Sequence, residues 1–154
     1  MEAATSVEQL LTRDPLACCS PSDNLNRAAN LMWDHDCGAL PVLEDGRVVA
    51  MLSDRDICMV AYLQNRPLTE LTVSTAMSKS VHSCSPMDGI EDVCQLMHVH
   101  QVRRVPVTDG EGYLVGVVSL SDVVREATSD HAPHLMETLK KIGEKRQQPE
   151  APEQ

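Results

Sequence analysis

Two short motifs in the sequence place a hydroxyl and a carboxylate three residues apart. They are Ser53-x-x-Asp56 and Ser119-x-x-Asp122, and each follows an apolar stretch that is typical of a buried strand. A serine at the start of a helix caps backbone N–H groups, and the helix dipole favours a carboxylate in the first turn. Each motif therefore predicts a strand, a sharp turn and a helix, with the polar pair at the turn.

The same residue types can bind the parts of a nucleotide. A carboxylate can accept hydrogen bonds from both hydroxyls of a ribose, and the N-terminus of a helix attracts phosphate. Arg103 and Arg104 precede an apolar Val-Pro-Val strand, and Arg55 lies inside the first motif. A guanidinium group matches two phosphate oxygens at once. The spacing also fits a helix-capping box, and the arginines also fit a solvated face or pairing with nearby acids, so both readings stay open.

The two motifs belong to two copies of one unit. The hairpin turns of the copies are Glu44–Gly46 and Asp109–Gly112, and the second is one residue longer. The polar motifs are therefore 66 residues apart, whereas the Cys-Ser-Pro segments, the helical stripes and the Pro-Val strands upstream of the turns recur at an offset of 65. One apolar helical stripe shows the latter offset: Leu25, Ala28, Ala29 and Met32 correspond to Ile90, Val93, Cys94 and Met97.

This duplication predicts an α+β fold of two tandem β-α-β-β-α units. One unit alone would leave a face of its short sheet exposed, so the two should pack into one intertwined pair. Apolar residues at helical spacing predict a further helix near the C-terminus, and a tail rich in Pro, Glu and Gln predicts disorder. The predicted segments are a loose terminus at 1–6, unit 1 at 7–64, a linker at 65–72, unit 2 at 73–129, a helix at 130–146 and a disordered tail at 147–154.

Composition and charge restrict the partners. The 154 residues carry a formal charge of −10, which argues against nucleic acid or an anionic membrane as the main partner. No apolar run approaches the ~20 residues of a membrane span, and the acidic start does not resemble a signal peptide, so a cytoplasmic protein is expected.

Metal binding and catalysis lack a matching motif. His98 and His100 are two residues apart and would not face each other on a helix, although an extended segment could present both. The sequence contains no Cys-x-x-Cys motif. It also lacks a Ser/His/Asp set at readable spacing. We therefore expect neither a metal site nor an enzyme.

The repeated unit resembles the CBS domain, which is named for cystathionine β-synthase and also occurs in inosine monophosphate dehydrogenase, chloride channels and the γ subunit of AMP-activated kinase. The resemblance rests on the Leu/Val-Pro-Val strand and the Gly-hydrophobic-x-Ser/Thr-x-x-Asp motif, and it covers roughly residues 7–127. It implies a tandem pair with pseudo-two-fold symmetry and adenosine-type ligands in the clefts between the copies. Pairs of this family often meet through their helices as a flat disc of four units, which implies a homodimer.

The resemblance also implies which residues bind the ligand. Asp122 matches the ribose-binding aspartate of the family, and Ser119 matches a hydroxyl near the phosphate. The first copy has Ala50 where the second has Gly116, and it has no counterpart of the arginine pair, so we expect clefts of unequal affinity. The candidate nucleotide-binding residues are Ser53, Asp54, Arg55, Asp56, Arg103, Arg104, Pro106, Ser119, Ser121 and Asp122.

The expected function is that of a stand-alone regulatory module. It would bind AMP, ADP, ATP or S-adenosylmethionine as a regulatory ligand, need no other cofactor, and act on a regulated protein that the sequence does not identify. The alternative is a structural dimerisation domain whose clefts stay empty.

Overall fold

Two β-hairpins, each followed by a helix, dominate the computed structural model, which describes residues 5–13 and 16–146. Its mixture of helices and two small sheets confirms the predicted α+β class. The predictions for residues 1–4 and 147–154 lie outside the described residues. In chain order the elements are α1 (Val7–Leu10), α2 (Leu25–Asp34), β1 (Ala39–Glu44), β2 (Arg47–Ser53), α3 (Asp54–Gln64), α4 (Val73–Ala76), α5 (Ile90–His100), β3 (Arg104–Thr108), β4 (Leu114–Ser119), α6 (Leu120–Glu126) and α7 (Ala132–Gly143), with 3-10 turns at Leu68–Glu70 and Ser129–His131.

Each sheet is an antiparallel hairpin, β1 with β2 and β3 with β4. The first hairpin turns at Asp45 and Gly46, whose φ angles of 51° and 79° give the turn geometry that suits the twist of paired strands. The additional strand predicted at the start of each unit is reduced to one parallel bridge, at Cys19 and at Cys84. In the first copy the reason is local, because a turn closed by the Asp23 carboxylate begins directly after Cys19.

The short helix that begins each copy packs on the other copy. Val7 of α1 lies in the core of the second copy, and Val73 of α4 lies in the core of the first. Matching backbone hydrogen bonds of 2.8 Å hold the two helices, from Val7 N–H to the Asp88 carbonyl and from Val73 N–H to the Asp23 carbonyl. The copies therefore exchange equivalent segments, which confirms an intertwined pair.

The tips of the two hairpins meet on the pseudo-two-fold axis. Arg47 and Tyr113 are equivalent residues of the two copies, and they form an antiparallel bridge with each other. The Arg47 guanidinium lies 4.9 Å from the centre of the Tyr113 ring, a cation–π contact. Among the described residues, no helix has both the length and the apolar character that a membrane span requires.

The chain that follows α1 crosses β4 at Gly116. Thr12 exchanges backbone hydrogen bonds of 2.9 and 3.1 Å with Val117. A Cβ atom on Gly116 would lie 2.5 Å from Leu11 Cδ1 and 2.9 Å from the Thr12 carbonyl oxygen. Only glycine permits this approach without movement of the crossing segment.

The equivalent crossing in the first copy is built differently. Ala50 stands in place of Gly116 there and is fully buried. Ser78 N–H still donates to the Met51 carbonyl at 2.9 Å, but Met51 N–H donates to the Ser78 hydroxyl at 3.0 Å instead of to a backbone carbonyl. The strand residue with a methyl group is thus found where one backbone hydrogen bond of the crossing is replaced by a hydrogen bond to a side chain.

We expect Gly116→Ala to lower the free energy of unfolding by about 1–3 kcal/mol, because the new methyl group overpacks the crossing. Chemical denaturation measures the change. Gly110→Ala is the matched control, since no atom lies within 4 Å of the Cβ position there. Equal stability of the two variants would contradict the account of the crossing.

Candidate functional site

Both Ser-x-x-Asp motifs form complete helix caps. The Ser53 hydroxyl accepts from Asp56 N–H at 3.1 Å, and the Asp56 carboxylate accepts from Ser53 N–H at 2.9 Å. Ser119 and Asp122 repeat this geometry at 3.1 and 2.8 Å. The capping interpretation is therefore correct for both motifs, and the caps fix each serine and aspartate at the beginning of a helix.

The two aspartates differ in their remaining contacts. Asp122 is only 7% exposed, and its Oδ2 also accepts from the Ser119 hydroxyl at 2.8 Å. Its Oδ1 accepts from the Arg125 guanidinium, which forms an ion pair with it. Met59 occupies the position of Arg125 in the first copy and offers no such bond to Asp56. Asp122 is thus a paired, nearly buried carboxylate, whereas Asp56 is half-buried without an equivalent arginine.

A cavity of about 280 Å³ lies between the copies at the second motif. The second copy contributes Arg104, Ser119 and Asp122 to its wall. Arg104 pairs with Ser119 across the β3–β4 ladder, so the hairpin register holds the cation beside the cap. The other lining residues are Thr12, Leu16, Ala17, His35, Asp36, Cys37, Ala39, Pro41 and Val117.

The other candidates of the second copy lie outside this wall. Arg103 is exposed, and its carbonyl accepts from Leu120 N–H at the start of α6. Ser121 is exposed, and Pro106 is buried in β3 with its carbonyl accepting from Cys84 N–H. Of the two neighbouring arginines, the cavity therefore receives only Arg104.

In the first copy the four candidates separate onto two sides of α3. Ser53 and Asp56 form the cap, whereas Asp54 lies on the outer side, where it lines a different groove together with Gly38. Arg55 is exposed, and its N–H donates to the Asp54 carboxylate at 2.7 Å. Asp54 and Arg55 thus belong to the outer surface of α3.

Several residues of the cavity were missed in the sequence because they belong to no motif. Asp36 and Cys37 follow α2 and come from the copy opposite Asp122. Burial raises the pKa of the Cys37 thiol, although the positive charge of Arg104 acts in the opposite direction. The structure shows a regularity of the repeat at this point, since Asp36 corresponds to Gln101 and both adopt positive φ angles, of 48° and 51°.

A pair of stacked histidines occupies the positions that correspond to Ala17 and His35 of the cavity. The rings of His82 and His100 lie 3.3 Å apart and are inclined by 9°. His100 corresponds to His35, which lines the first cavity. Burial lowers the pKa of His100 below its ordinary value of 6.5, and the positive charge of a protonated His82 lowers it further. The fold therefore favours the neutral form of His100.

Within the part of the chain that the structure describes, no three His, Cys, Asp or Glu side chains converge as metal ligands.

Comparison with known proteins identifies both copies. A profile of the CBS domain matches residues 7–62 and 73–129. The chain is 38% identical over 128 residues to the CBS domain-containing protein YhcV of Bacillus subtilis, a match that covers 83% of this chain and 89% of that protein.

Two solved structures have the same fold and contain ligands. CBSX2 in complex with AMP is 25% identical, with a TM-score of 0.67 over 78% of this chain and 93% of that one. The CBS domain pair of protein MJ0100, in complex with 5-methylthioadenosine and S-adenosyl-L-methionine, is 25% identical, with a TM-score of 0.69 over 80% of this chain and 95% of that one.

We expect protein stability to fall as the pH drops below about 6.5, because the unfolded chain binds a proton at His100 more readily than the folded chain does. The contribution of neutral His100 to stability is fully present above the pKa of this histidine in the unfolded chain. It is lost as the pH falls through the lower pKa that His100 has in the folded chain. The melting temperature of His100→Gln should depend less steeply on pH, between pH ~7 and ~5, than that of wild type does. His35→Gln, at the equivalent position, is the control. An unchanged slope in His100→Gln would contradict the assignment.

Proposed function

The chain belongs to the CBS domain family as a tandem pair, and we propose that it is a regulatory module that binds an adenosine-containing ligand between its two copies. The observation that carries this proposal is the cavity at the second motif, where Arg104, Ser119 and Asp122 face residues of the opposite copy. Occupancy of the cleft would be passed to a regulated protein through the arrangement of the two copies.

Each polar residue of the cavity has a role suited to its chemistry. Asp122 accepts hydrogen bonds from the ribose hydroxyls, and Arg104 with the Ser119 hydroxyl holds a phosphate. The Arg125 side chain, which now pairs with Asp122, is 68% exposed. Because the guanidinium is mostly in solvent, Arg125 can turn away when a ribose hydroxyl replaces its hydrogen bond to Asp122, so the nearly buried carboxylate stays paired.

Size and charge favour a ligand with few negative charges. The cavity of about 280 Å³ lies just below the range for ligand pockets, roughly 300–1,000 Å³. Its lining contains the carboxylates Asp36 and Asp122 together with the Arg104 guanidinium. A triphosphate would meet acidic groups in a chain of net charge −10. AMP, with its single phosphate, and S-adenosylmethionine, with its positive sulfonium, are the better fits.

The similar proteins support this ligand class. The CBSX2 structure contains AMP, and the MJ0100 pair contains S-adenosyl-L-methionine. The match to YhcV covers most of both chains, which supports a module that regulates by binding rather than by catalysis. A cytoplasmic location and a homodimer remain parts of this proposal.

One observation favours the alternative, a structural domain with empty clefts. Both oxygens of Asp122 already accept hydrogen bonds within the protein, from Ser119 and from Arg125. In that case the motif serves only to cap α6, and no adenosine compound binds.

We expect calorimetry to show binding of AMP and S-adenosylmethionine in preference to ATP. Asp122→Asn keeps an oxygen for the cap but removes the charge, so it should weaken both ligands about 10- to 150-fold, the equivalent of a charged hydrogen bond. Arg104→Gln should weaken AMP more than S-adenosylmethionine. Asp54→Asn, on the outer surface, is the control and should bind like wild type.

Asp56→Asn tests the inequality of the clefts and should affect a separate, weaker binding event. If wild type binds none of the three compounds, the structural alternative holds. If Asp54→Asn weakens binding as much as Asp122→Asn does, the site has been assigned wrongly.

A further inference from the structure

Each copy carries a histidine at the end of its first long helix. His35 directly follows α2, and His100 is the last residue of α5. Both helices are closed by the same backbone hydrogen bond, which the residue two positions after the histidine donates, at 3.0 Å in the first copy and 3.2 Å in the second. The two imidazoles therefore start from equivalent positions of the fold.

The segment that precedes each hairpin is also held in the same way in both copies. Ala17 lies two residues before Cys19, and His82 lies two residues before Cys84. Each of these cysteines forms a parallel bridge to the hairpin of its copy, and its N–H donates to the carbonyl of a strand proline at 3.1 Å. The backbone positions of Ala17 and His82 are therefore equivalent, and only their side chains differ.

This difference decides what covers the histidine ring. His82 stacks on His100, with the ring centres 3.3 Å apart, and both residues are half-buried. The Ser80 hydroxyl lies 3.3 Å from Nε2 of His82 and holds the edge of its ring. In the first copy Ala17 offers only a methyl group, and His35 is exposed. Both of these residues line the cavity of about 280 Å³, so the place that His82 fills in one cleft is open in the other.

We propose that His82 occupies, in the cleft of Ser53 and Asp56, the place that the base of the ligand takes in the cavity, and that this base stacks on His35. The inference rests on the proposed function, because it assumes an adenosine-type ligand in the cavity. An imidazole and a purine both present flat π-faces. The stack of His82 on His100 therefore has the arrangement that a base on His35 would have.

The cavity has room for the base at this place once the polar groups are assigned. Asp122 and Arg104, which the proposed function gives to ribose and phosphate, come from the second copy. Leu16, Ala17 and His35 line the cavity from the first copy. A base needs a flat and mostly apolar surface, which an imidazole face beside aliphatic side chains supplies.

The same comparison gives a physical reason for unequal clefts. A base can enter the cleft of Asp56 only after His82 has left His100, and the stack of the two histidines is then lost. A stacked aromatic pair is worth roughly 2- to 12-fold in an equilibrium constant. His82 therefore competes with the base and lowers the affinity of this cleft, although the Ser-x-x-Asp motif there is intact.

Calorimetry with AMP on the full chain tests the role of His82. His82→Ala gives its cleft the residue of the first, so it should tighten the second, weaker binding event about 10-fold. Ala17→His should weaken the tight event by at least ~10-fold, because the new imidazole can stack on His35. His98→Ala is the matched control and should bind like wild type, since His98 is also half-buried on α5 and corresponds to Trp33 of the outer groove.

Nuclear magnetic resonance of the histidine rings tests the role of His35. The chain has six histidines, so their ring signals can be assigned by substitution. AMP at a concentration that fills only the tight site should shift the ring protons of His35 upfield, because they would lie over a purine, and leave those of His82 and His100 in place. His35→Ala should weaken AMP about 5- to 150-fold, the value of one stack between a base and an aromatic side chain.

The outcomes separate this inference from the proposed function. If wild type binds AMP and Asp122→Asn weakens it, but His82→Ala leaves the second event unchanged or the His35 signals do not move, the inference is wrong and the proposed function stands. If neither wild type nor His82→Ala binds AMP, both are wrong. Circular dichroism should show that the variants are folded, and if Ala17→His is not, the His35 signals of wild type decide.

Discussion

The exchange of short helices between the copies is the constraint on which the other features depend. Val7 and Leu10 fill the core of the second copy, so that core is closed only when the N-terminus has crossed over. The crossing segment must then pass β4 at Gly116, and its Thr12 continues into the wall of the cavity. The cleft is therefore a product of the paired fold and has no counterpart in a single copy.

The Ser-x-x-Asp motif serves two purposes with one set of atoms. As a cap it stabilises the start of α3 or α6 by about 1 kcal/mol, and as a ligand site it offers a hydroxyl and a carboxylate oxygen. A helix cap uses only part of the capacity of a carboxylate, which has about four acceptor positions. The two aspartates use their remaining acceptor positions differently, because Asp122 also accepts a hydrogen bond from Arg125 and Asp56 has no such partner. The same motif can therefore have different affinities in the two copies.

The elements of the fold could be predicted from the sequence because the repeat tests each pattern twice. The caps at Ser53 and Ser119 followed from the same regularity. The exchange of α1 and α4 could not be predicted, since a contiguous repeat does not reveal which copy a four-residue helix packs on. The sequence alone predicts the same role for Arg103 and Arg104, although neighbouring residues at a strand point to opposite sides. The packing of α7 against α5 depends on contacts between residues far apart in the chain. The apolar periodicity of a helix does not show which element the helix will contact.

The reciprocity of the exchange bears on how such a chain could arise. A chain with one repeat could make the contacts of Val7 and Val73 only by swapping its short helix with an identical chain, as a two-fold dimer. Fusion of two repeats would replace that encounter with an intramolecular one, at an effective concentration on the order of millimolar. After fusion the two halves would no longer need to have the same sequence, so a residue could change in one half alone. Ala50 opposite Gly116 and Met59 opposite Arg125 are differences that a symmetric ancestor could not have carried in one half alone.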